Sequence, residues 1–189
     1  MTIIIDPQSS GIAGNMIIGA LVDLGADADE LKSIMEKSAK DFGKVEVSFE
    51  KKLKHGISST FCHVEMLDKK SHVHYNELVD KINALNLDES IKKTSLNIFK
   101  RIAIAESKVH GKSLDEIHFH EVGASDAVAD VIGSVWAYYS LNLDKQKIIG
   151  LPISVGGGNV KTAHGLLPVP VPAVLEILNG LNFKGGPVS

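Results

Sequence analysis

The segment Ile117–Asp130, IHFHEVGASDAVAD, brings two histidines and three carboxylates within fourteen positions. His118 and His120 alternate, so in an extended chain both imidazoles project to one side and can reach one ion. Neutral nitrogen donors beside a carboxylate, here Glu121, suit a borderline transition metal. Asp126 and Asp130 follow one helical turn apart. Near a metal, His120 and Asp126 have the right groups to accept a proton. A plainer reading is also open: the aspartates stabilise a helix N-terminus, Phe119 is the core residue, and the histidines lie at the surface.

The stretch HVHY repeats the alternation with His72 and His74. The duplication nominates His72, His74, His118 and His120, with Glu121, as one shared metal or phosphate site. His164 in TAHGLLPVP is a further candidate. His110 in KVHGK reads better as a favourable charge at a helix C-terminus. His55 and His63 lie in a hairpin pattern and read as structural, and Cys62 in STFCHVEM as a small buried apolar residue.

A second chemistry-bearing stretch is DPQSSGIAGNM. Asp6 ends a strand-like run, and Ser9, Ser10, Gly11, Gly14 and Asn15 lead into a helix. Free amides at a helix start favour anions, so a phosphate can sit there. The alternative is a strand-to-helix turn that needs glycine, since the spacing matches neither a P-loop nor a dinucleotide fingerprint. The glycines of SVGGGNVKTAHG either let a flat ligand approach the backbone or form a hairpin.

These segments need elements to position them. TIIID reads as a short buried strand stopped by Pro7. Ile12, Met16, Ile17, Ala20, Leu21 and Leu24 recur at helical spacing until Gly25. DADELKSIMEKSAKDFG predicts a helix with Leu31, Ile34 and Met35 inside. KVEVSFEKKLKHGISSTFCHVEML alternates about His55-Gly56, a β-hairpin with one solvated face. A helix from Tyr75, a long helix from Asp88 to Gly111 and a largely apolar, central helix from Ala124 follow. KQKIIGLPISVGGG reads as strands around a Gly-Pro interruption, and Pro172 suits the first turn of a last helix ending at Asn179-Gly180. The fold class is α+β: a mixed sheet including a β-hairpin, covered by several helices, as one domain over 1–189.

Composition excludes several classes. A net charge of -3 gives no pull toward nucleic acid. One cysteine excludes an internal disulfide framework and fits a reducing compartment. No apolar run approaches the roughly 20 residues of a membrane span, and Met1 meets TIIID without a basic leader. The expectation is a cytoplasmic protein with no membrane and no nucleic-acid partner.

Four blocks in order, SGIAGNMIIGALVDLG, HVHY, IHFHEVGASDAVADVIG and VGGGNVKTAHGLLPVPVPAVLEIL, resemble the LarC-type nickel insertion family from about Ile3 to Leu181. That family makes the nickel-pincer nucleotide cofactor of lactate racemase. The resemblance implies a CTP-dependent cyclometallase, a lyase of cofactor biosynthesis. It inserts nickel into a pyridinium bisthiocarboxylate mononucleotide and forms a carbon–nickel bond. Ala13 and Asn15 stand where the family usually has serine and aspartate, so a carboxylate role there does not carry over. The family is about twice this length and uses its C-terminal half for CTP, so the resemblance covers the N-terminal substrate- and metal-binding half. Expected partners are the mononucleotide, a C-terminal half or separate subunit, and further copies of the chain. Two other functions fit the residues: a non-catalytic nickel or nucleotide-binding module, and a metal-dependent phosphohydrolase.

Overall fold

The computed structural model describes residues 2–68, 73–119, 124–162 and 164–185. In chain order the elements are β1 (Thr2–Ile5), α1 (Gly14–Asp23), α2 (Ala28–Ala39), β2 (Val45–Lys54), β3 (Ile57–Met66), β4 (Val73–His74), α3 (Tyr75–Ala84) and α4 (Glu89–His110). There follow β5 (His118–Phe119), α5 (Ser125–Ser140), β6 (Lys147–Gly150), β7 (Ile153–Ser154), β8 (Asn159–Thr162), β9 (Gly165–Pro168), α6 (Pro172–Leu178) and β10 (Phe183–Lys184). The class is mixed α+β, as the sequence pattern implies. Among the described residues no helix is long and apolar enough to cross a membrane.

Local chemistry explains the boundaries. The Asp27 carboxylate accepts from the Glu30 amide at 2.9 Å and starts α2, satisfying one donor that the helix itself cannot. Gly111, at φ 62°, ends α4 in the left-handed conformation that costs glycine least. His55 and Gly56 both have positive φ and turn β2 into β3, the geometry whose twist matches a two-residue hairpin. Pro172 occupies the first turn of α6.

Among the described residues the sheet structure is mixed, as expected, and is built of two-stranded pieces. β2 and β3 form the long antiparallel hairpin, β1 runs parallel to β6, and β7 runs parallel to β10. Pro152, which has no N–H, separates β6 from β7. Even so, residues 147–155 keep one course. Leu151 and Ser154 donate to the carbonyls of Ile5 and Pro7, while Ile153 and Val155 donate to those of Asn182 and Lys184.

Two core clusters share α5. One gathers Ile18, Leu31, Met35, Val47, Cys62 and Ala129; the other gathers Phe42, Leu78, Ile82, Phe99, Phe119, Val128 and Ile132. Each large side chain so buried contributes about 1.5–3 kcal/mol. The apolar helix expected to be central is central. Around α1 the apolar stripe divides: Leu21, beside buried Ile18 and Gly19, packs against this core, while Ile12, Met16 and Leu24 are exposed.

Candidate functional site

Phe119 sets the position of the first histidine. It is buried, meets Tyr75 edge-on and lies against Phe99. Alternation then turns its neighbour His118 outward. β4 pairs with β5 so that Val73 opposes Phe119 and His74 opposes His118. The two imidazole centroids are 3.8 Å apart. His74 and His118 are both exposed and lie side by side. His72, His120 and Glu121 lie outside the described residues.

A second pair joins them from elsewhere in the chain. His110, in the last turn of α4, has its ring centroid 4.9 Å from that of His164, in the β8–β9 connection. Thr162 fixes that connection: its hydroxyl accepts from the His164 amide at 3.0 Å and donates to the Gly165 carbonyl at 3.2 Å. His110 Nε2 is 3.3 Å from the Glu106 carboxylate, one turn back on α4. His110, His118, His164, Glu106 and Thr162 line one cavity of about 290 Å³, closed by Phe119, Leu167 and Val171. His110 thus does more than complement a helix end, whose capping falls to Gly111. Sequence reading passed over Glu106, although its spacing of four from His110 is a usable signal. Among the described residues no three His, Cys, Asp or Glu side chains form a ready-made metal cage.

The expected anion stretch lies at another cavity. Ser10, Gly11 and Ile12 face residues 153–157 across a space of about 600 Å³ that Val169, Pro170 and Val171 also line. Val171 lines both cavities, which makes them neighbours. α1 begins at Gly14 without a side-chain cap or an acidic residue of its own in its first turn, and the carboxylate nearest that end is Asp130, packed against Gly14. The Gly11 amide is taken by the Pro7 carbonyl, and Asp6 accepts from the Gln8 amide. Gly11 has φ 74°, and a Cβ there would come within 2.8 Å of the Ser154 carbonyl; here glycine is required. The glycine run at 156–158 precedes the β8–β9 hairpin, which turns between Thr162 and Gly165. His164 belongs to the histidine cavity and not to this one.

Asp126 and Asp130 take a third position and do not line the histidine cavity. The Asp126 carboxylate accepts from the Ala127 amide at 2.7 Å. Asp130 packs against Gly14, where any Cβ would collide with its carboxylate. Burial, and then the charge of Asp126, push its carboxyl up to about 6, and its Oδ1 is buried without a hydrogen-bond partner among the described residues. Burial, and then Asp130, push the Cys62 thiol up to about 12, which keeps it protonated and inert.

The structure thus sets a cavity lined by His110, His118 and His164 beside one lined by Ser10, Gly11 and Ile12. The nickel insertion protein family matches residues 3–189. The chain belongs to that family. It is 51% identical over 197 residues to a Methanosphaera stadtmanae protein whose provisional name is nickel insertion protein, covering 100% of this chain and 48% of the relative. It is 45% identical over 189 residues to a Methanothermobacter thermautotrophicus protein of the same provisional name, covering 99% and 46%. It is 44% identical over 172 residues to the pyridinium-3,5-bisthiocarboxylic acid mononucleotide nickel insertion protein of Desulfitobacterium hafniense, covering 91% and 42%. The chain thus spans about half the length of these relatives. No solved structure matches it.

Proposed function

We propose that this chain is the half of a nickel insertion enzyme that holds nickel and a pyridinium bisthiocarboxylate mononucleotide. One observation carries the reading: His118 from β5, His110 from α4 and His164 from the β8–β9 connection meet at one cavity, with the His74 ring tilted against that of His118. Imidazole suits nickel. Delivery to a substrate needs an open, partial ligand set and not a closed cage. The sequence alternation nominates His72 and His120, and the neighbouring Glu121, as further ligand candidates. The two thiocarboxylates of the substrate supply sulfur donors, which a chain with a single buried cysteine does not.

A cavity of about 290 Å³ admits a substituted pyridine ring but not a whole nucleotide. We assign the ring to it and the phosphate to the neighbouring cavity beside Ser10, Gly11 and Ile12, just before α1. Ser9, Gly14 and Asn15 complete that anion-accepting turn. Replacing a ring hydrogen by nickel exchanges a C–H bond for a C–Ni bond and releases one proton, with no change of oxidation state. The Glu106–His110 pair is placed to take that proton, with His120 as the other acceptor in the segment and Asp126 set back from the cavity. CTP use falls to the part of the relatives this chain does not span. The isolated chain is then a nickel and nucleotide binder with little turnover, because positioning can supply roughly 7–11 kcal/mol of such a barrier.

The test is nickel titration calorimetry on this chain. Binding is expected at pH 7.5 and should weaken at pH 5.5, since imidazole must be neutral to ligate. His118→Ala/His164→Ala should weaken it at least about tenfold. Unchanged affinity in that variant removes the cavity from the reading, and release of phosphate from generic esters would favour a phosphohydrolase.

A further inference from the structure

The parallel pair β1–β6 is open where such pairs are normally covered. Parallel sheets carry helices on both faces and read as continuous apolar runs. β1 is such a run, yet Ile4 is 63% and Ile5 41% exposed. These neighbours point to opposite faces, so both faces of the strand are uncovered. The outer edge is open as well. Leu151 donates to the Ile5 carbonyl, so alternation turns the Ile4 amide and carbonyl away from β6.

The helices beneath repeat the pattern. Ile12, Met16 and Leu24, at 43%, 49% and 51% exposure, turn the outer part of the apolar stripe around α1 toward β1 and not toward the core. Between them lies an apolar groove of about 840 Å³, floored by Ile98 and Tyr138.

We infer that this face, β1 and β6 together with the outer stripe of α1, is the docking surface for the part of the longer family members that this chain does not span. That part would add a strand along Ile4 and fill the groove with an apolar element. The lengths argue for this occupant over a second copy. The relative that shares 51% of its residues with the whole of this chain has slightly more than half of its own length left over. The inference rests on the reading that insertion is divided between two halves, and it places the join away from the histidine cavity.

Hydrogen exchange tests it on two proteins as they exist: this chain and the full-length Methanosphaera stadtmanae relative. Peptides matching residues 2–5 and 147–150 should exchange at least about tenfold more slowly in the full-length protein, because a docked strand closes their free edge. Equal exchange in both overturns the inference. Sedimentation of this chain provides the second arm. A monomer is expected; a dimer that Ile4→Glu/Ile149→Glu disperses would show that a second copy covers the face, and also overturns it. Loss of nickel binding with the protection intact would sink only the nickel reading.

Discussion

Two helices of similar apolar character meet opposite fates. α5 is covered on nearly every side and feeds both core clusters with Val128, Ala129, Ile132 and Ala137. α1 buries Ile18 and Gly19 on one side, while Met16 and Leu24 line an open groove. Gly19 lets α1 approach β3 so closely that a Cβ would overlap the Thr60 carbonyl. One helix is consumed by the interior of this chain. The other has a finished side and an unfinished one. Apolar periodicity identifies both as helices but does not tell which apolar surface the chain covers itself.

The largest expected effect lies on the finished side. Leu31 is fully buried where α2 meets α5 and the hairpin. Leu31→Ala removes its transfer energy and leaves a cavity, for a cost of about 2–5 kcal/mol. Urea unfolding followed by circular dichroism should show that loss with an unchanged slope. A cost below about 1 kcal/mol would mean that the α2–α5 contact is looser than its burial implies.

Asp130 marks the boundary between the two sides, on α5 against the start of α1. Its carboxyl is raised from 3.8 to about 6 in the folded chain, so folding favours the protonated form. That contribution is fully present below pH 3.8 and is lost as pH rises through 6. Partial access to water reduces the effect to about 1 kcal/mol. Asp130→Asn should therefore gain stability over the parent by about that amount at pH 7.5, and the gap should close by pH 4. A gap independent of pH between 4 and 7.5 would show that Asp130 is not held against its ionisation.

Much of the frame was legible from the sequence. Asp27, Gly111, His55-Gly56 and Pro172 are local signals, and each sits where local rules put it. The His74–His118 encounter was legible too, because alternation fixes side and the duplicated pair suggested a partner. The His110–His164 encounter was not. It depends on how the end of α4 meets a hairpin far along the chain, and nothing local to KVHGK or TAHG encodes that. Glu106 therefore drew no role. The anion stretch was readable as a turn, but its partner across the cavity, residues 153–157, comes from a distant strand. The mixed α+β class was legible, but the individual pairings were not: strand pairing is set by tertiary course, and Pro152 divides what the apolar pattern joins.

The smallest expected effect is the sharpest test of the comparison. Ile4 is 63% exposed in β1, so little of its side chain leaves water when this chain folds alone. At about 25 cal/mol per Å² the lost burial in Ile4→Thr is slight, and threonine keeps the β-branched shape that suits a strand. The substitution should shift stability by no more than about 0.5 kcal/mol, against several for Leu31→Ala. Thermal melts of the two variants side by side read the contrast. If Ile4→Thr costs as much as Leu31→Ala, the β1 face is already covered in the isolated chain, whether by a second copy or by the chain itself, and α1 has no unfinished side. If it costs nothing here yet weakens the same strand of a full-length relative, the energy of that apolar run is spent between halves and not within one, which is why the run persists on a surface exposed to water.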